Sequence, residues 1–426
     1  MMLACLWRGV TNLVFFKLIP MILFNLISLF SQPIFWVVML IIWFQFRRMA
    51  KLKSDFFNVP EESVLRPTIT ATIYGVIGGI LGSFILVLVG ISVLEVGVQY
   101  LWILAIAMML INQRFMCFAY AGGIISLVKY FFGFPHISIP QVMGLVAILH
   151  LVEALLILFS GHLGAVPVYI KSKDGRLIGG FNLQKFWPLP IVAMVATVVP
   201  NTETLTEIIK MPDWWPLIKA EFLNENDNIV YMMIPVIAGL GYGDIALTTR
   251  PKEKTSRSAF HLSIFSLILL GLSILSANYP GLGILAALFG PLGHEFVIFL
   301  GRRYEFSGQP KFANPERGIM ILDLLESSPL NLAGLKTGDI ILAINNIPVN
   351  NSYDLDYTLQ FAGPVFEIEY LSGDKKIFKR KLIKREGIGK PLGLIIVPDS
   401  YGHPYLDFSK GESLLKKLIN KFKLKR

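Results

Sequence analysis

Four groups of residues could carry chemistry in this sequence. His294-Glu295 sets an imidazole beside a carboxylate, and His150 and Glu153 lie three apart, about one helical turn. Gly243-Asp244 offers a further carboxylate, and Cys5 and Cys117 offer thiols. Zinc hydrolysis needs two histidines one turn apart with a glutamate base, as HExxH, and a remote aspartate to complete the ligand set. Position 298, where the second histidine would fall, is Ile. His150 and Glu153 could supply one ligand pair and Asp244 the remote aspartate, but the motif is absent, so no catalytic residue, metal ligand or cofactor is expected. Neither cysteine belongs to a CxxC pair, and both sit in apolar stretches, where they read as buried small hydrophobes. Charged groups inside a bilayer are costly and functional by default. For Glu153, Asp244 and His294-Glu295 the alternative is a polar contact between spans.

The elements that must position these groups are too apolar for water. Of 426 residues, 54% are hydrophobic and 16% charged, against about 25% charged in soluble domains. The apolar runs are long enough to cross a ~30 Å hydrocarbon core as helices of roughly 20 residues. They lack the alternation of a membrane β-barrel, the other spanning solution. The expected fold class is a polytopic α-helical membrane bundle of about 8–10 spans plus a C-terminal α+β domain. Ser31-Gln32-Pro33 divides the first apolar stretch into 10–30 and 34–46, a hairpin or a re-entrant piece followed by a short span. Further spans are expected at about 69–94, 100–111, 116–132, 139–160, 186–199, 229–247, 258–277 and 281–300. No small-x-small cleavage site follows the first run, which argues against a removed signal peptide.

Orientation follows from charge. The formal charge of +10 marks cytoplasmic loops facing anionic lipid rather than a nucleic-acid site. The basic segments are 47–66, 171–185, 250–257 and everything after Arg302. The expected spans between them number four, two and two, so all can share the cytoplasmic side. Loop 201–228 agrees: it carries Glu203, Glu207, Asp213, Glu221, Glu225 and Asp227 against Lys210 and Lys219, with Trp214-Trp215 as interfacial anchors.

The composition divides the chain into a membrane region at 1–303, a linker at 304–317, a soluble domain at 318–400 and a basic tail at 401–426. Gly318-Ile319-Met320-Ile321 opens a strand, and Ser328-Pro329 leads a helical turn to Ala333-Gly334-Leu335. Thr337-Gly338-Asp339 then turns into the strand Ile340–Ile344, with Asn345-Asn346 as a hairpin turn. A second helix is expected at 353–361, with Leu355 and Leu359 on one face, and paired strands at 365–370 and 376–383. This series resembles the PDZ family in its bacterial, circularly permuted arrangement. The resemblance implies that Pro391-Leu392-Gly393-Leu394 is the carboxylate-binding loop. A peptide would then add to strand 393–397, between Leu394, Ile395, Ile396 and the helix bearing Leu355 and Leu359. Leu355 and Leu359 as plain core, and 391–394 as a simple turn, remain the alternative. In 409–426, seven Lys and Arg face a stripe of Leu414, Leu415, Leu418, Ile419 and Phe422, a pattern suited to an anionic leaflet.

The membrane half carries longer strings. Gly179-Gly180-Phe181-Asn182-Leu183-Gln184-Lys185-Phe186-Trp187-Pro188-Leu189-Pro190 opens one segment. Residues 238–248, followed by Pro251, Lys254, Ser258 and Ala259, close another. Pro291-Leu292-Gly293-His294-Glu295 leads to Gly301-Arg302-Arg303. With the PDZ-like series, this layout resembles the MinJ family, PDZ-bearing topological determinants of cell division in Gram-positive rods. The resemblance implies a non-enzymatic adaptor in the bacterial cytoplasmic membrane, enriched at poles or septum. It would bridge a DivIVA-like polar protein to Min and other division proteins through peptide termini or extended segments. The alternatives are a degenerate or unconventional PDZ-bearing intramembrane protease, and a transporter with a regulatory PDZ domain. A transporter predicts inverted repeats; Gly-rich 236–242 is suggestive, but no repeat is visible.

The charge asymmetry generates a topology test. With Cys5 and Cys117 replaced by Ala, a cysteine introduced at Thr204 should react with an impermeant maleimide in intact cells, and one at Ser409 should not. The reverse pattern would invert the topology.

Overall fold

The computed structural model describes residues 2–172, 174–199, 208–223, 228–373, 377–385, 387, 391–399 and 405. The expected amphipathic tail at 409–426 lies outside them, as do Glu203, Glu207, Glu225 and Asp227 of the acidic loop. The membrane half begins with α1 (Met2–Leu29), α2 (Pro33–Phe57) and α3 (Leu65–Val89). It continues through the short α4 (Val93–Val96), α5 (Val98–Ile111), α6 (Phe118–Phe132) and α7 (Ile139–Ser160), and ends on α8 (Pro251–Asn278) and α9 (Gly283–Ser307). Among the described residues five helices, α2, α3, α7, α8 and α9, are long and apolar enough to cross a membrane, while 14–29 of α1, α5 and α6 are shorter apolar helices. Pro33 opens α2 at the first-turn position where its missing N–H costs nothing.

Two expected spans are not helices. Between α7 and α8 the chain forms β1 (Val166–Lys171), β2 (Leu177–Val198) and β3 (Ile229–Ala246), an antiparallel sheet in the order β1-β2-β3. The expected helices at 186–199 and 229–247 are thus the two arms of one long hairpin, paired from Phe181↔Ala246 to Val198↔Ile229. The residues explain the outcome. Pro188 and Pro190 would break a helix but suit a strand edge. Gly239, Gly241 and Gly243 recur with the period of a strand, not of a helix.

The hairpin raises a polar problem, since unpaired backbone groups in an apolar setting each cost several kcal/mol. β1 covers only the first part of the outer edge of β2. Beyond it, Pro188 and Pro190 have no N–H to satisfy. Val192 N donates to Ser83 Oγ at 2.8 Å and Ala196 N to Ser92 Oγ at 3.1 Å, with a parallel bridge between Ser92 and Met194. Helix α3 lies against this edge through Gly75 and Gly79. A Cβ on Gly75 would stand 2.0 Å from the Pro188 carbonyl oxygen, and one on Gly79 1.8 Å from that of Pro190. The spacings agree: four helical residues rise about 6 Å, and two strand residues about 6.6 Å. α3 therefore takes the place of a fourth strand. On the hairpin's face, Leu18, Ile22, Leu26 and Leu29 of α1 are buried with Val192 and Met194. Trp187 is fully buried and donates to Ser160 Oγ of α7 at 2.9 Å.

The acidic loop folds back onto the end of α3. Trp215 Nε1 donates to Val87 O at 2.8 Å, Ile218 N donates to Val89 O at 3.0 Å, and Trp214 stacks on Phe15. The two tryptophans, expected as interfacial anchors, are bound to the protein itself.

The C-terminal α+β domain contains β4 (Ile319–Leu324), α10 (Pro329–Leu332), β5 (Ile340–Ile344), β6 (Ile347–Pro348), α11 (Ser352–Phe361), β7 (Val365–Ser372), β8 (Ile377–Lys384) and β9 (Leu394–Ile396). Its sheet runs β8-β7-β5-β4-β9, with β6 beside β5. Asn345 and Asn346, at φ 48° and 64°, make the tight β5–β6 turn. Arg385, buried and laid over Phe366, donates to the carbonyls of Leu359 and Ala362 and so satisfies the C-terminal end of α11.

The expected linker 304–317 is part of the packing. α9 runs on to Ser307, and Glu305 is buried, accepting from the backbone of Leu247 and Thr248 at 2.8 and 2.9 Å and from the Thr248 and Thr249 hydroxyls. Phe312, fully buried, extends the sheet where β3 ends: Gly179 N donates to its carbonyl at 2.8 Å. The small size of Gly79 yields a prediction. Gly79→Ala should lower stability in detergent by about 1–3 kcal/mol or more through overpacking. Gly271→Ala on α8, where an added Cβ meets nothing within 4 Å, should not. Equal melting curves for the two variants would contradict the α3–β2 contact.

Candidate functional site

The C-terminal domain offers an open strand edge beside a helix. β9 pairs with β4 alone, through Ile321↔Ile396, Asp323↔Ile395 and Leu324↔Leu394, and no strand lies on its other side among the described residues. Leu325 N donates to Gly393 O and Val397 N to Met320 O, both at 2.9 Å, so odd positions bond inward. The backbone groups of Leu394 and Ile396 therefore point to the outer edge. Leu394, Ile396 and Leu359 are partly buried against the core that holds Leu355, Leu392 and Ile321. One apolar cluster thus includes side chains from both β9 and α11.

Three sequence expectations change in detail. Ile395 does not face α11; with Val397, Leu322 and Leu325 it is buried in the cluster that contains Tyr169, Phe181 and Phe312 of the membrane half. A period of two sends alternate side chains of β9 to opposite faces, so one short strand serves both. Gly393 holds φ +61°, and an added Cβ would meet Leu325 at 3.1 Å; its small size serves the inner packing of the loop. Leu355, 6% exposed, is core.

The same edge is tied to the membrane half. Tyr169 OH of β1 donates to Ile396 O at 2.7 Å, occupying one outward carbonyl. Lys53 of α2 pairs with Asp323 at 2.9 Å and with Glu62 at 2.7 Å. Arg66 pairs with Glu326 at 3.0 Å, and Glu326 N donates to Glu62. Burial pushes the Asp323 carboxyl above its ordinary value, against the opposing pull of Lys53. The exposed Arg66–Glu326 pair adds little stability; the apolar contacts and the Tyr169 bond define the orientation.

Two polar clusters of the membrane half contain residues singled out from the sequence. Asp244 pairs with buried Lys254 at 2.7 Å and accepts from Ser258 and Tyr242. It is thus a structural anchor between β3 and α8, not part of a ligand set with His150. In the second cluster, Cys117 Sγ lies 3.0 Å from His150 Nε2 and 3.7 Å from His294 Nε2, and the donor atoms of all three fall within 4.8 Å of one another. Glu295 is engaged next door, by the Arg114 guanidinium and by Tyr120 OH at 2.7 Å. From the sequence, Cys117 reads as a small hydrophobe and no metal ligand is expected. Here it joins two of the singled-out histidines, while Glu153 is not among the three.

These features define a class: a multi-pass membrane protein with a C-terminal α+β domain seated on a membrane-half sheet. The sequence matches no family model. It is 24% identical, over 387 residues covering 87% of this chain and 93% of the other, to the cell division topological determinant MinJ of Bacillus subtilis (strain 168). The likeness to that division determinant runs along most of both chains. Over 89 residues, 21% of this chain and 20% of the other, it is also 35% identical to a Borreliella burgdorferi protein named as a candidate zinc metalloprotease.

Proposed function

We propose that the chain is a non-enzymatic membrane scaffold that recruits cell-division proteins through a PDZ-like C-terminal domain of permuted type. The observation that carries this reading is the open outer edge of β9 beside α11, on a chain similar along most of its length to a division determinant. An extended segment would add to β9 as a further strand, using the outward groups of Leu394 and Ile396. Its side chains would rest against Leu359, and the loop 391–393 would hold a terminal carboxylate. The partner classes are those implied by the family, a DivIVA-like polar protein and Min proteins, with the domain in the cytoplasm. Recruitment competes with the Tyr169 bond to Ile396 O, so the membrane half tempers access to the edge.

The test uses full-length protein in its host, reading septal or polar localisation and cross-linked partner capture. Leu359→Lys puts an ammonium at the rim, where a partly buried position lets its stem lie along the apolar surface. This variant should cut capture about tenfold, the equivalent of about 1.4 kcal/mol. Tyr169→Phe should keep or raise capture. A Leu359→Lys protein with an unchanged melting curve that localises normally and captures the same partners would remove the groove from the function.

A further inference from the structure

We infer that Cys117, His150 and His294 form a three-coordinate site for a thiophilic d10 cation, cuprous copper, that clasps three helices of the membrane half. The donors come from distant parts of the chain, 33 and 177 residues from Cys117, and converge on one point. Metal bonds of about 2.3 Å to sulfur and about 2.0–2.1 Å to nitrogen place donor atoms about 3.6–3.8 Å apart. The sulfur–nitrogen separations here, 3.0 and 3.7 Å, lie within a small side-chain adjustment of that shell.

Each donor is prepared for the role. Cys117 is the N-cap of α6, and its sulfur accepts from Ala119 N at 3.4 Å. A metal-bound sulfur there would face the positive end of the α6 dipole. His150 is buried, and its Nδ1 lies 2.7 Å from the Val146 carbonyl, which can only accept. Nδ1 therefore carries the proton, leaving the lone pair of Nε2 directed at Cys117. Backbone carbonyls fix ligand histidines in this way at metal sites. The Nδ1 of His294 is buried and makes no hydrogen bond among the described residues. Its ring is held by aromatic contacts to Tyr120, Phe265 and His150, with centroids 5.2–5.8 Å apart. Phe265, stacked on Phe289, closes the wall around both imidazoles.

Charge selects the ion. One thiolate and two neutral imidazoles around Cu(I) make a neutral complex, whereas Zn(II) with the same donors leaves a net positive charge in an apolar setting, which is costly. Glu295, next to His294 in the chain, is already matched by Arg114. Thiolate and imidazole donors suit Cu(I), and its low coordination number fits three ligands. The donor set lacks the HExxH arrangement of a zinc hydrolase, so the ion is a structural clasp joining the N-terminus of α6 to α7 and α9.

The test measures metal on the purified full-length chain in detergent, in a Cys5→Ala background, under a reductant. Cu(I) is supplied through a competing colorimetric chelator, and Zn(II) is tried separately. The expected results are one Cu(I) per chain, slowed maleimide reaction at Cys117 when Cu(I) is present, and a raised melting temperature. Cys117→Ser and His294→Asn should each weaken Cu(I) binding at least a hundredfold, and His261→Asn, outside the cluster, should leave it unchanged. The maleimide readout needs no ligand variant and stands if one fails to fold. Folded wild-type protein that retains no Cu(I), or retains it equally in Cys117→Ser, would overturn the site. Stoichiometric Zn(II) with no Cu(I) would overturn the copper assignment.

Discussion

A strand edge set among apolar helices must not leave N–H and C=O groups without partners, and the architecture of this protein follows from how β2 meets that demand. Its outer edge is ended in four ways along its length: by β1, by prolines that lack the donor, by the hydroxyls of Ser83 and Ser92, and by close approach of α3. The proline–glycine contact is the tightest of these. Carbonyls of Pro188 and Pro190 face glycines one helical turn apart, a geometry in which weak Cα–H···O contacts also form. Any side chain at Gly75 or Gly79 would push the helix away and uncover the edge.

Once the hairpin is secured, it serves as a platform. Its open end carries β1, the buried carboxylate of Glu305 and the short strand segment around Phe312, and these place the C-terminal domain. β9 then acts on two sides at once. Ile395 and Val397 fasten it to the membrane half, while the side chains of Leu394 and Ile396 pack against the core of the C-terminal domain. In the proposed scaffold role, a partner added to β9 would be held at a defined position relative to the bilayer. The Tyr169 bond makes the same edge sensitive to the membrane half.

Much of this was legible in the sequence, and the rest had physical reasons to be hidden. Helices α2, α3, α7, α8 and α9 announce themselves by length and apolarity. The order of strands and helices after Gly318 follows from turn residues and alternation. The hairpin reads as two helical spans because a buried strand and a buried helix are equally apolar, and hydropathy alone does not separate them. The distinguishing signal was present in Pro188/Pro190 and in Gly239/Gly241/Gly243, all at period two. The inward face of Ile395 could not be read, since its partner surface includes Tyr169 and Phe181, more than two hundred positions away. The Cys117–His150–His294 cluster is likewise a product of tertiary packing, invisible to any local motif.

The central claim is that an antiparallel hairpin, edged by a glycine face of α3, lies within the membrane half. Solid-state NMR of the full-length protein in bilayers, labelled at glycine and proline, tests it most directly. The account predicts strand-type carbon shifts at Pro188, Pro190, Gly239, Gly241 and Gly243, with through-space contacts from Gly75 to Pro188 and from Gly79 to Pro190. Helical shifts across 186–199 and 229–246, or strand shifts without those glycine–proline contacts, would contradict it.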